Sequence, residues 1–283
     1  MTTSRLARLW LAALTCAGVA GAGALPAKAA LGSILLPTKP AETRSHSART
    51  DHKPTIVLVH GAFADATGWQ RVIPVLERDG YTVIAVQNPL SSFEADVATT
   101  KRVIDAQKGP VIAVGHSYGG AVITGAASGS ANVKALVYVA AFAPEANEPI
   151  GAFNEKYPTA LGAALRPDAA GFLYIDRARF REIFASDVSP AEAKVMAATQ
   201  KPIIQSAFAA SVKQPAWKTI PSWYIVAQDD RAISPDLERF YAKRMGAKTT
   251  EIKASHVVFV SRPTEVARVI VQAANAVVST ASK

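Results

Sequence analysis

Ser117 occupies a sequence context in which a hydroxyl group can act as a nucleophile. It is the third residue of a Gly-His-Ser-Tyr-Gly pentapeptide, residues 115–119. An apolar run of residues 111–114 precedes the pentapeptide and a small, apolar run of residues 121–127 follows it, which predicts a buried strand, a sharp turn and a helix. Because Gly115 and Gly119 lack β-carbons, strand and helix can approach closely while Ser117 is held in a strained backbone conformation.

A serine hydroxyl is a weak nucleophile unless a base takes its proton and an acid orients that base. Five histidines are candidates for the base. His46 and His52 lie in a stretch without regular patterning, and His60 ends a predicted strand beside a glycine, where it is expected to shape the turn. His116 adjoins the serine and is expected to point elsewhere. His256 remains, between the last predicted strand and the last predicted helix.

The orienting acid is expected after the end of another strand, because the carboxyl ends of parallel strands meet at one sheet edge. Asp229 and Asp230 directly follow the apolar stretch of residues 222–227. Either carboxylate completes the chain order serine, aspartate, histidine. The sequence therefore predicts acyl transfer by a serine, a histidine and one of two neighbouring aspartates.

Alternating strand and helix patterns must position these side chains. Continuous apolar runs predict strands, the first of which begins after Pro54. The stretches between these strands predict helices, and one helix is expected to bend at Pro74. This alternation is typical of a doubly wound, mostly parallel sheet with helices on both faces, that is, an α/β fold. The predicted strands are 55–60, 82–86, 111–114, 133–140, 222–227 and 249–252, and the predicted helices include 69–78, 93–107 and one from Pro263.

The alternation is interrupted at about residues 143–220, a stretch too long for a plain loop. Helical patterns there, one starting at Ser189 and Pro190, predict an inserted helical cap over the carboxyl edge of the sheet, where ligands of such sheets bind. Aromatic and aliphatic side chains are candidate walls of the resulting substrate pocket: Phe63, Trp69, Phe153, Leu161, Phe172, Phe180, Phe184 and Trp217.

From about residue 54 to 279 the chain resembles the α/β-hydrolase fold family. Within it the chain is similar to the small-carboxylesterase branch that contains methylesterases, hydroxynitrile lyases and pyrethroid hydrolases. The residues that carry this resemblance are His60-Gly61-Ala62-Phe63 with Trp69, the pentapeptide 115–119, Asp230-Arg231-Ala232-Ile233, and Ser255-His256 followed by Ser261-Arg262-Pro263. Alignment with the family's Asp-x-x-Ile pattern favours Asp230 over Asp229 as the acid.

The resemblance implies a catalytic triad of Ser117, Asp230 and His256 and hydrolysis of a small-molecule ester through an acyl-enzyme. It also implies an oxyanion hole made by the backbone N–H groups of Tyr118 and Ala62, with Phe63 as the second candidate. This mechanism needs neither a metal nor an organic cofactor. Preferred substrates are expected to be small and largely apolar, because the cap sequence offers no Lys/Arg cluster for an anionic group.

Three alternatives to ester hydrolysis remain. A hydroxynitrile lyase uses the same triad, but in that subgroup a Thr typically stands in place of Gly61 and a Lys follows the histidine, where this chain has Val257. A cofactor-free perhydrolase also fits the triad. A non-catalytic binding protein is a remote alternative, because all three triad residues and both oxyanion loops are present.

Residues 1–29 are predicted to be a signal peptide. Arg5 and Arg8 precede an uncharged run of residues 9–25, and Ala27-Lys28-Ala29 fits a small-x-small cleavage pattern. Residues 30–53 are predicted to be a flexible linker, and residues 54–283 the hydrolase domain. An exported protein, periplasmic or secreted, without stable membrane insertion after cleavage, is therefore expected. An uncleaved anchor is the alternative.

Composition excludes several further classes of protein. The formal net charge is +9, but the basic residues are scattered and form no cluster interleaved with aromatics, so no nucleic-acid partner is expected. The single cysteine, Cys16, lies in the predicted signal peptide, so the mature chain would hold no disulfide. No zinc-binding pattern occurs, and the sequence does not predict an oligomeric state.

Overall fold

The computed structural model describes residues 53–281, with side chains up to residue 277. All of them belong to the second of two units into which the chain divides, Arg49–Lys283. The predicted signal peptide and nearly all of the predicted linker lie outside the described residues. Within residues 53–281 no helix combines the length and the apolar character needed to span a membrane.

Six strands form a parallel sheet. They are β1 (Thr55–Val59), β2 (Val83–Val86), β3 (Val111–His116), β4 (Val133–Val139), β8 (Ser222–Ala227) and β9 (Lys248–Ile252). Their order across the sheet is β2-β1-β3-β4-β8-β9. The four apolar side chains after Thr55 in β1, and all six residues of β3, are buried, as expected for strands covered on both faces.

Helices cover both faces of this sheet. They are α1 (Ile73–Arg78), α2 (Phe93–Asp105), α3 (Tyr118–Ala126), α7 (Pro235–Arg244), α8 (Val258–Ser261) and α9 (Pro263–Ala281). Helices α2, α3 and α9 agree with the sequence prediction, whereas α7 and α8 were not predicted. Near Pro74 the chain forms a 3-10 helix, Ala66–Arg71, before α1 begins. Pro74 therefore sits in the first turn of a helix instead of bending one, a position where a missing N–H is tolerated.

The cap between β4 and β8 is not purely helical, contrary to the sequence prediction. Its elements are α4 (Leu161–Ala164), β5 (Leu165–Pro167), β6 (Phe172–Ile175), α5 (Phe180–Phe184), α6 (Pro190–Thr199) and β7 (Ile203–Ile204). The three strands form an antiparallel sheet in the order β5-β6-β7, and two 3-10 turns follow them, Gln205–Ala209 and Ala216–Lys218. The strands are too short for an alternating pattern to identify them.

The order of the strands determines where a site can form. The chain passes from β1 outward to β2 and then returns to the other side of β1 to form β3. A doubly wound sheet has its ligand crevice where the strand order reverses in this way, outside the carboxyl ends of the strands. The loop after β1, with Gly61 and Ala62, and the turn after β3, with Ser117, therefore meet at one edge.

Candidate active site

Ser117 lies between β3 and α3 in a conformation that residues other than glycine rarely adopt, with φ of 53° and ψ of −123°. Gly115 and Gly119, two positions before and after it, permit this sharp turn because they carry no side chain. A β-carbon on Gly119 would lie 2.6 Å from the carbonyl oxygen of Val59. The Gly-x-Ser-x-Gly pattern thus serves close packing of α3 against β1, and it leaves Ser117 at the carboxyl end of β3.

Asp230 and His256 are joined by a buried hydrogen bond. Asp230 follows β8 and His256 follows β9, and Nδ1 of the imidazole lies 2.5 Å from Oδ2 of the carboxylate. The other oxygen, Oδ1, accepts hydrogen bonds from the backbone N–H groups of Ala232 at 2.7 Å and Ile233 at 2.9 Å. These two bonds fix the carboxylate, so Oδ2 faces the imidazole and holds its Nδ1–H form.

The neighbouring Asp229 has a different environment. Its side chain is exposed and makes no hydrogen bond with any residue from 53 to 281. Asp230, in contrast, is only 5% exposed. Of the two carboxylates that the sequence offered, Asp230 is the one in contact with His256.

Ser117 and His256 line the same cavity. Nε2 of His256 is buried and forms no hydrogen bond with the described residues, and the Ser117 hydroxyl likewise has no hydrogen-bond partner among them. The structure therefore brings Asp230 and His256 into direct contact and places Ser117 beside the same space, without a hydrogen bond between Oγ and Nε2. Such bonds are often long before substrate binds.

Three backbone N–H groups lie close to Ser117 in the chain or in the fold. Those of Ala62, Phe63 and Tyr118 donate to no acceptor in the described part of the chain. The phenol of Tyr118 donates a 2.8 Å hydrogen bond to the buried carboxylate of Asp96, whose other oxygen accepts one from the Leu90 N–H. This contact anchors the first residue of α3, whose N–H is unpaired as at any helix start.

The other two described histidines are neutral and serve the architecture. Nδ1–H of His60 donates to the carbonyl of Gly61 at 2.8 Å, and its Nε2 accepts the N–H of Asn88. Burial lowers the pKa of His60 to about 4. His116 donates through Nε2 to the carbonyl of His256 at 3.0 Å, and burial holds its pKa well below the usual value.

The cavity has a volume of about 1090 Å³ and lies between the sheet edge and the cap. Of the predicted walls, Phe63, Leu161 and Phe184 line it. Most of the remaining lining residues are apolar side chains from the cap and from the start of α7, with polar groups at Asn154, Glu155, Thr159, Gln205, Ser206 and Ser234.

Five predicted wall residues do not line this cavity, and four of them make contacts elsewhere. Trp69 lies against Phe259 with ring centroids 4.4 Å apart, and Phe153 packs on Phe240. Trp217 donates its indole N–H to the carbonyl of Pro144. In strand β6 the adjacent residue Leu173, and not Phe172, lines the cavity. Phe180 packs against Phe184, which does line it.

Sequence reasoning missed two acidic side chains that contact the residues around His256. Asp187, in the cap, accepts hydrogen bonds from the hydroxyl and the N–H of Ser255, the residue before His256. Glu238 of α7 lies fully buried near Asp230. Asp187 is 68 positions from its partner, and no periodic pattern points to it. The sequence could have pointed to Glu238, because an acidic side chain at a position that should be buried in an amphipathic helix is unusual.

Within residues 53–281 no three His, Cys, Asp or Glu side chains are grouped so that they could hold a metal ion. The arrangement that the site does hold can move a proton between a cavity and a buried imidazole–carboxylate pair, next to a serine at a strained turn.

Known proteins with similar sequences include putative methylesterase 19 of Arabidopsis thaliana, 25% identical over 255 residues, which span 79% of this chain and 98% of that protein. The alpha-hydroxynitrile lyase of Arabidopsis thaliana is 32% identical over 121 residues, 38% of this chain and 47% of that enzyme.

Among solved structures, a pyrethroid hydrolase from Sphingobium faniae JZ-2 superimposes with a TM-score of 0.68 at 26% identity, covering 79% of this chain and 98% of that one. The model of the alpha/beta hydrolase family matches residues 56–269, most of the sheet and its cap. The chain therefore belongs to the alpha/beta hydrolase family, as an esterase-type member.

Proposed function

We propose that this protein hydrolyses carboxylic esters with Ser117 as nucleophile, His256 as general base and Asp230 as the acid that orients it. The observation that carries the proposal is the buried Asp230–His256 hydrogen bond beside a cavity that Ser117 also lines. A base whose Nδ1–H is held by a carboxylate presents Nε2 as the proton acceptor, which is the form a serine nucleophile requires.

In the proposed mechanism the Ser117 hydroxyl attacks the ester carbonyl and its proton passes to Nε2 of His256. Backbone N–H groups of Tyr118 and Ala62, or Phe63, bind the oxyanion of the tetrahedral intermediate, a contribution of about 3–4 kcal/mol per donor. His256 then returns the proton to the departing alcohol. Water attacks the acyl-serine in the same way and releases the acid.

The proposed substrates carry an apolar acyl or aryl group that fills a cavity lined largely by aliphatic and aromatic side chains. A cavity of about 1090 Å³ can surround a ligand considerably larger than an acetate ester. Turnover of p-nitrophenyl esters should therefore increase from acetate to longer acyl chains. A screen across acyl lengths measures this directly.

Carbon–carbon lyase activity is the second candidate, since an alpha-hydroxynitrile lyase is among the relatives. Two features argue against it. A β-carbon at Gly61 would lie 2.6 Å from Cβ of Ser117, so this backbone has no room for the Thr found in lyases. Val257, where lyases carry Lys, is fully buried and offers no cation to stabilise cyanide.

A fluorophosphonate probe tests the proposal. It should label the wild type and leave Ser117→Ala unlabelled, while p-nitrophenyl ester turnover disappears in that variant. Mandelonitrile cleavage is measured in parallel. Cyanide release without ester turnover would favour the lyase, perhydrolysis without hydrolysis would favour the perhydrolase, and no labelling at all would favour a binding protein.

We also propose that the enzyme is exported after removal of residues 1–29, on the basis of the basic, apolar and small-residue order of that segment. Expression of the full chain in a bacterial host, followed by N-terminal sequencing of the periplasmic and secreted fractions, should give a start at Ala30. Retention of the full-length chain in the membrane fraction would support an uncleaved anchor.

A further inference from the structure

Glu238 lies next to Asp230 of the proposed triad and does not line the cavity. It is fully buried in α7. Its Oε2 accepts a 3.0 Å hydrogen bond from the N–H of Ala227, the last residue of β8. Its Oε1 receives no hydrogen bond from any N–H or O–H of the described residues, yet the carboxyl group lies within hydrogen-bonding reach of Asp230.

Two buried carboxyl groups in contact cannot both be ionised without a large electrostatic cost, so the pair shares one proton. The hydrogen-bond donors around the pair determine which group carries it. Asp230 receives three N–H groups, from Ala232, Ile233 and the His256 ring. Glu238 receives one. Donors stabilise the ionised form, so the charge resides on Asp230 and the proton on Glu238.

We propose that Glu238 is a positioning residue of this enzyme: a neutral carboxylic acid whose O–H donates a hydrogen bond to the Asp230 carboxylate. This inference rests on the proposed function of Asp230. The bond adds a fourth donor to that carboxylate and spreads its negative charge away from the imidazole. Glu238 thereby limits how strongly Asp230 favours the protonated form of His256.

The environment of Glu238 favours its neutral, protonated form. Burial and the charge of Asp230 raise the pKa of Glu238 well above its usual value. From β8, the Tyr224 hydroxyl faces the same region but donates to the carbonyl of Ala141. Arg239, the neighbouring cation on α7, is directed to Glu251 of β9 and to Asp236, at the surface.

Two substitutions separate the proposed role from simple packing. Gln has the shape of a protonated Glu, so Glu238→Gln can accept from Ala227 and donate to Asp230. Glu238→Met keeps the volume but can donate nothing. The control is Asp236→Asn on the same helix, whose side chain is 76% exposed and lies outside the proposed machinery. Thermal unfolding of each variant monitors the fold.

With p-nitrophenyl butyrate we expect Glu238→Met to lower kcat about tenfold with little change in KM, because the Asp230 carboxylate loses a hydrogen bond that holds it in position behind the imidazole. The acid limb of its kcat/KM profile should move up by about half a pH unit, because Asp230 then stabilises the imidazolium more strongly. Glu238→Gln should recover most of the lost rate and the original profile. A loss in Glu238→Gln as large as in Glu238→Met, or an unmoved acid limb in Glu238→Met, would overturn the proposal.

A second measurement does not depend on esterase activity or on the folding of Glu238→Met. In protein labelled with ¹³C at glutamate carboxyl carbons, the resonance missing from Glu238→Gln belongs to Glu238. We expect it at the position of a protonated acid throughout neutral pH. An ionised Glu238 at neutral pH would refute the inference even if Ser117 proves to be the nucleophile. A failure of fluorophosphonate labelling would instead refute the proposed function and leave this readout intact.

Discussion

Replacing Asp230 by Asn tests the proposed triad at its most precisely constrained point. Two backbone N–H groups, of Ala232 at 2.7 Å and Ile233 at 2.9 Å, point at Oδ1. In the Asp230→Asn variant the amide oxygen must take that position, because the opposite orientation would leave two buried N–H groups unpaired, at about 1–3 kcal/mol each. The amide NH₂ group is then forced towards His256.

An NH₂ group facing Nδ1 of His256 requires Nδ1 to be an acceptor, so the proton moves to Nε2. An imidazole protonated at Nε2 cannot take the proton of Ser117. The expected loss in kcat is about 10⁴-fold, which corresponds to about 5.4 kcal/mol of transition-state stabilisation. Asp229→Asn is the matched control, since the exposed Asp229 touches neither group, and its kcat should stay within about twofold of wild type.

The assay is steady-state hydrolysis of p-nitrophenyl butyrate with thermal unfolding as a check on folding. KM should change little in Asp230→Asn, because the substituted side chain lies behind the imidazole and not in the cavity. Equal losses in the two variants, or a loss below about tenfold in a folded Asp230→Asn protein, would refute the assignment of Asp230 as the orienting acid.

Three further perturbations have outcomes that follow from the geometry of the protein. Gly61→Ala puts a β-carbon 2.6 Å from Cβ of Ser117, so kcat should fall about 10²-fold in a folded protein, and unchanged kinetics would contradict the close contact. Burial lowers the pKa of His60 from 6.5 to about 4, so the folded protein favours the neutral imidazole. The contribution of His60 to the free energy of unfolding is complete above pH 6.5 and declines as the pH falls towards 4. The free energy of unfolding, measured in urea, should therefore fall by up to about 3 kcal/mol over that range, and His60→Gln should reduce this dependence on pH. Asp187→Ala removes both hydrogen bonds to Ser255 and should lower kcat by about tenfold. Ser255→Ala keeps the bond from the backbone N–H and should lower kcat less. Comparison of the two kcat values on p-nitrophenyl butyrate tests this prediction.

Sequence reasoning works best where a single local rule determines the structure. Apolar runs such as residues 56–59 and 111–114 had to be buried strands, and the alternation with helices leaves few topologies other than a doubly wound sheet. The strained conformation of Ser117 follows from its flanking glycines. These features depend on residues close together in the chain.

Features that depend on distant residues could not be predicted in this way. Phe153 and Phe63 have the same chemistry, but Phe153 packs among aromatic side chains of α7 while Phe63 faces the cavity. Nothing in their sequence neighbourhoods distinguishes them. The choice of Asp230 over Asp229 likewise needed the family pattern, because both follow the same strand and only tertiary contacts bury one of them.

The hydrogen bonds between Asp187 and Ser255 tie the cap to the loop that carries His256. The cap over the proposed substrate cavity and the loop of the proposed general base are therefore mechanically joined. Grafting a cap from a related enzyme would replace residue 187 together with the pocket walls. A designer who seeks a new specificity should transfer the carboxylate with the graft, or redesign position 255 to match it.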